Sequence, residues 1–169
     1  ETVDECRPLP GYTTVWWHQL LNAAPLADPR HWYAVLRRRY DVPFPDLLRD
    51  RIITLNLRAM KSHRFSYLHQ LELAAAREDA VSLNHRVTAF LASYVDALLA
   101  LNRVTHPGEK GLIRDATDRC TLVPDGFPHE VEDLLRARDG SEIVERAKAL
   151  TDGLDLLCTS AVRPGDLPA

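Results

Sequence analysis

Apolar residues recur along this chain at the three- and four-residue steps of amphipathic helices, and most regularly from about Ala80 to Val104. There Val87, Phe90, Leu91, Tyr94, Val95 and Leu98 follow at steps of three, one, three, one and three, which lays a broad apolar stripe along one side of a helix. This segment is expected to be the central core helix.

Other segments repeat the pattern on a smaller scale. Asp28-Pro29 offers an N-cap and a proline in the first helical position, predicting a helix to Tyr40 with Trp32, Val35 and Leu36 on one face. Arg37, Arg38 and Arg39 oppose the negative end of its dipole. Pro45 opens a helix to about Lys61 through Leu48, Ile52, Leu55 and Met60, and Phe65 to Arg77 presents Phe65, Leu68, Leu71 and Ala75. Beyond Pro107-Gly108 a helix is expected from Glu109, with Leu112, Ala116 and Cys120 every four residues. Pro128 starts a short helix ending at Gly140, and Ser141 caps a last one carrying Ile143, Ala147, Leu150, Leu154 and Leu157. Thr13 to Leu21 suits a short strand or a short helix, with Trp16 and Trp17 as core or interface anchors.

The prediction is an all-α helical bundle of about six or seven helices, with room for one short N-terminal strand. Residues 1–28 read as an irregular segment or the end of an upstream catalytic domain, 29–158 as the bundle and 159–169 as a flexible tail. The chain opens on Glu1 and reads as processed, or as a piece of a longer protein.

Composition narrows the function classes. A formal charge of -3 over 169 residues disfavours broad binding to nucleic acid or to a membrane surface. Cys6, Cys120 and Cys158 are odd in number and lack metal-ligand spacing, which points to reduced thiols in a cytoplasmic setting. No apolar run approaches the roughly 18 residues of a membrane span.

Candidate chemistry gathers at Leu101 to Lys110, where one helix stops and another is expected to start. Lys110 is one of three lysines against eighteen arginines. A lysine at a helix N-terminus adds a mobile charge to free N–H groups, a combination suited to a phosphate; the plain alternative is a surface Glu109-Lys110 pair. Separately, Arg64 and His69 have the Arg-x4-His spacing of helical ribonucleases of the HEPN type, in which Arg stabilises phosphate charge and His moves a proton.

The run Leu-Leu-Ala-Leu-Asn-Arg-Val-Thr-His-Pro-Gly-Glu-Lys from Leu98 to Lys110 resembles a motif in the helical C-terminal domains of small nucleotidyltransferases. These are relatives of the kanamycin and lincosamide nucleotidyltransferases in the polymerase-beta-like superfamily. Leu26-Ala27-Asp28-Pro29 and Phe44-Pro45-Asp46-Leu47-Leu48 resemble the linker before that helical domain, so the similarity covers roughly Leu20 to Leu135. The resemblance implies transfer of a nucleotidyl group from a nucleoside triphosphate (NTP), with Mg2+, to a hydroxyl of a small-molecule acceptor. Lys110 would contact the triphosphate, and Asn102 and Arg103 would line the cleft facing an upstream catalytic domain. Some relatives carry a general-base carboxylate near the position of Asn102, and Asn cannot take a proton. The Gly-Ser and Asp-x-Asp signature that would hold the metals is absent as well. Alone, the chain is expected to be inactive: an accessory half, or else a non-catalytic helical interaction module.

Overall fold

The computed structural model describes residues 2–161, and within them the chain forms eight helices and no strand. They are α1 (Val15–Asn22), α2 (Trp32–Tyr40), α3 (Asp46–Lys61), α4 (Tyr67–Ala76), α5 (Ala80–Leu101), α6 (Leu112–Arg119), α7 (Phe127–Arg136) and α8 (Gly140–Ala161). The all-α bundle expected from the pattern is present, and the ambiguous Thr13–Leu21 segment is helical from Val15. Thr159 to Ala161 continue α8, while the rest of the expected tail lies outside the described residues.

α5 is the hub. It packs against α3, α4, α8 and α6, and α8 adds α4 and α7 to the same core. The periodicity predicted a one-sided stripe, yet every residue from Ala92 to Leu101 is buried. The reason is the segment before α1, which lies across the side of α5 that the bundle leaves open. Gly11 has φ +82°, and a Cβ there would stand 3.0 Å from the Cβ of Ala92, so only glycine permits this approach. A second contact of this kind brings α8 onto α4, since a Cβ on Gly140 would come within 2.9 Å of Ala75 Cβ.

Two core clusters result. The larger surrounds Phe90, Tyr94, Leu98, Phe127, Leu134 and Leu154; the smaller joins Trp17 to Leu48, Ile52 and Ala100. The indole Nε1 of Trp17 donates to Tyr40 O at 2.8 Å, tying α1 to the end of α2. Trp16, its neighbour on the other side of a short helix, is 80 % exposed.

Three local expectations need correction. Helix α2 begins at Trp32 rather than Pro29 because His31 takes a left-handed conformation, though Asp28 still accepts from the N–H groups of Tyr33 and Ala34. Its Trp32, Val35 and Leu36 do share a face, and that face is uncovered, for α2 buries no residue. Phe65 likewise precedes α4 and is exposed, and the last helix is capped by Asp139, which accepts from Ser141 N and Glu142 N at 2.9 and 3.1 Å, instead of by Ser141.

Candidate functional site

The junction between α5 and α6 is built from hydrogen bonds that its sequence alone does not reveal. After Leu101 the chain turns through Arg103, whose φ of 54° ends the helix, and Val104 N closes back on Leu99 O at 2.9 Å. From there it runs along the N-terminal segment. Thr14 Oγ1 accepts from His106 N at 2.8 Å, Thr105 Oγ1 lies 2.9 Å from His18 Nδ1, and the Tyr12 hydroxyl donates to Glu109 Oε1 at 3.2 Å. Gln19 Nε2 reaches Pro107 O at 3.3 Å. The junction is thus one edge of a clasp between residues 12–19 and 105–109.

The three residues expected to bind a nucleotide are placed differently from one another. Asn102 spends its whole side chain on the backbone: Nδ2 donates to Leu98 O and Leu122 O, and Oδ1 accepts from Thr121 N and Leu122 N. It is the brace that holds the turn after α6, with no donor or acceptor left for a ligand. Arg103 is exposed and paired with Asp46, its Nη2 at 2.6 Å from Oδ1, and this guanidinium holds the Asp46 carboxyl below the usual range. Lys110 is exposed but lies in the turn before α6, not inside a helix starting at Glu109. Gly111, at φ 67°, places the helix start after the lysine.

That shift brings in Arg114, which the sequence reading passed over. Its Nη2 lies 3.4 Å from the point a Cβ on Gly111 would occupy, so the guanidinium folds back over the turn that carries Lys110. The spacing of four from Lys110 was the available signal. The first internal bond of α6 runs from Asp115 N to Gly111 O, which leaves the N–H groups of Leu112, Ile113 and Arg114 outside the helix ladder.

Two buried polar groups underlie the clasp. Asp96, 2 % exposed, receives Thr13 N at 3.2 Å and Asn56 Nδ2 at 2.9 Å, while Asn56 Oδ1 accepts from Gly11 N at 3.2 Å. The Thr13 hydroxyl stands 2.9 Å from Asp96 Oδ2 and 2.6 Å from Leu9 O. It has one proton to give, and the carbonyl has none. Both contacts are satisfied when Thr13 donates to Leu9 O and a protonated Asp96 donates to Thr13. Burial accordingly pushes the carboxyl pKa up to about 6, against the hydrogen bonds from Thr13 and Asn56. His106 is the second group, fully buried, with Nδ1 accepting from Gly108 N at 3.0 Å. The ring proton is therefore on Nε2, which has no partner among the described residues. Burial, aided by His18, lowers the imidazole pKa to about 4.

Arg64 and His69 also meet, since both line a pocket between α3, α4 and α8. Arg64 lies over the Phe65 ring at 4.8 Å and His69 Nδ1 stands 3.4 Å from Glu72 Oε2. No group of three or more His, Cys, Asp or Glu side chains that could hold a metal is found among the described residues. Comparison of the chain with protein-family models, with curated proteins and with solved structures returns no match.

Asn102→Ala is expected to lower stability by about 1–2 kcal/mol, because the freed backbone groups regain water at this partly exposed turn. Thermal denaturation checks it; an unchanged midpoint would show that the Thr121–Leu122 turn needs no brace.

Proposed function

We propose that the chain is the helical accessory and substrate-binding region of a nucleotidyltransferase-like protein. In this reading an upstream catalytic domain brings the Mg2+ ligands and the general base, and the helical region helps to hold the NTP and the small-molecule acceptor. The observation that carries it is the pair of exposed cations, Lys110 and Arg114, on either side of Gly111 at the start of α6. Neither has an acidic partner among the described residues, and the unmatched N–H groups beside them add positive potential. Asn102 braces the turn after α6, and Arg103 ties the end of α5 to Asp46. Three free thiols, with burial pushing Cys120 and Cys158 to about 11, suit a reducing cytoplasmic setting.

Magnesium in this scheme neutralises triphosphate charge and activates the acceptor hydroxyl when bound. The chain's own part is electrostatic: a mobile ammonium and a planar guanidinium drawing the triphosphate to one turn. Calorimetry with MgATP on the longer protein is expected to show Lys110→Ala weakening binding by about 1–3 kcal/mol, with Arg114→Ala in the same range. Unchanged affinity in both would remove this turn from the nucleotide site.

A second reading, a non-catalytic helical interaction module, is favoured by α2. Its Trp32 and Val35 are 70 % and 64 % exposed, more apolar surface than one helix of a lone bundle leaves uncovered by choice. Absence of NTP binding in the longer protein, together with Trp32→Glu releasing a bound protein partner, would favour the module over the enzyme.

A further inference from the structure

At the end of α3 remote from the Arg103–Asp46 pair, cations gather around a pocket of about 440 Å³. α3 contributes Lys61, the following turn His63 and Arg64, and α8 Lys148, while α4 lines it with His69 and one acid, Glu72. In a chain of net charge -3, three permanent cations against Glu72 and the Asp155 partner of Lys61 leave a local excess of positive charge. The sixteen residues of α3 put this pocket about 24 Å from the Asp46 end of the helix, and none of its lining residues belongs to the turn of Lys110.

Much of the donor capacity is unspent. Lys148 pairs with Glu72 at 2.7 Å and Lys61 with Asp155 at 2.6 Å, and each ammonium keeps two further N–H donors. Arg64 has no carboxylate partner among the described residues; its face rests on Phe65, which positions the guanidinium without using its donors. His63 Nδ1 accepts from Phe65 N at 3.1 Å, so Nε2 carries the ring proton and is a donor. Glu72 is occupied by Lys148 and His69, which holds its carboxyl below the usual range and limits the repulsion it exerts.

We propose that this pocket binds a phosphate monoester of a small molecule. A terminal phosphoryl group has three oxygens to satisfy, and Lys61, Arg64 and Lys148 offer donors from α3, the turn after it and α8, with His63 as a fourth. The volume exceeds that of a phosphate alone and leaves space for the organic part. A polynucleotide fits less well, because Glu72 lines the pocket and Asp155 lies against Lys61, and a longer polyanion would meet both.

The test is an amide-resolved NMR titration of the full chain with ribose 5-phosphate, adenosine monophosphate, sulfate and a short single-stranded RNA. The monoesters are expected to give saturable shifts at Arg64, Tyr67 and Leu68, and Arg64→Ala, a surface change that keeps the fold, weakens their binding at least tenfold. Arg136→Ala, at an exposed cation of α7 that does not line the pocket, leaves it unchanged. Absence of saturation, equal binding of sulfate, tighter binding of RNA, or full affinity in Arg64→Ala each overturns the proposal.

Discussion

Asp96→Ala is expected to destabilise the chain by about 3–5 kcal/mol, a large part of what holds a domain of this size together. The mechanism is specific. Alanine leaves Thr13 N and one donor of Asn56 unpaired against a buried stretch of α5 and removes the donor from Thr13 Oγ1. Because Asn56 also holds Gly11 N, the whole N-terminal segment loses its seat on α5. Asp96→Asn separates geometry from charge. Its amide reproduces the carbonyl toward Thr13 N and the donor toward Thr13 Oγ1, and orphans only the Asn56 donor, so a loss of about 1–2 kcal/mol is expected. Denaturant unfolding at pH 5, below the Asp96 pKa of about 6, measures both, and equal losses there would contradict a protonated Asp96.

The second expectation is a stability profile in which two buried groups oppose each other between pH 4 and pH 6. His106 has its folded pKa lowered from 6.5 to about 4, so the unfolded chain takes up the proton first. Its contribution is present above about pH 6.5, is lost as the pH falls, and levels off below about 4; the span corresponds to about 3 kcal/mol at 1.36 kcal/mol per unit. The structural event is loss of the Gly108 N–H bond, since a protonated Nδ1 cannot accept. Asp96, raised from 3.8 to about 6, has the reverse sign. Its contribution is complete below about 3.8 and is lost as the pH rises through 6, again by about 3 kcal/mol.

In the shared window the two slopes offset, and the wild-type chain is expected to show a shallow profile. His106→Gln should gain stability on acidification and Asp96→Asn should lose it. Asp4, Asp46, Asp79 and Asp139, each held below its ordinary value by hydrogen bonds, give an acid loss at lower pH that all variants share. Parallel profiles for wild type and both variants from pH 4 to 7 would refute this account.

The fold class was legible because the apolar steps along α3, α5 and α8 are long enough to define a face. What covers a face was not. Trp32, Val35 and Leu36 make as good a stripe as Val87 and Phe90, yet one is exposed and the other buried, since periodicity carries no information about the neighbour. Asp96 was visible as a lone acid in an apolar run, but its meaning depends on Thr13, eighty-three positions earlier. Asn102 shows a different limit: its place in a family-like motif suggested a ligand, and nothing in the sequence foretold its four bonds to the backbone. Lys110 lost its helix to a single left-handed glycine one residue on.

The seat of the N-terminal segment on α5 also bears on the order of events during synthesis. Thr13 and Thr14 emerge from the ribosome long before Asp96 and His106 exist, with separations of 83 and 92 residues. The early segment must therefore wait, unpaired, while α3, α4 and α5 assemble behind it, and it docks only once a nearly complete bundle offers it a surface. The segment of Thr13 and Thr14 precedes the bundle in the sequence and is among the last of its parts to be fixed.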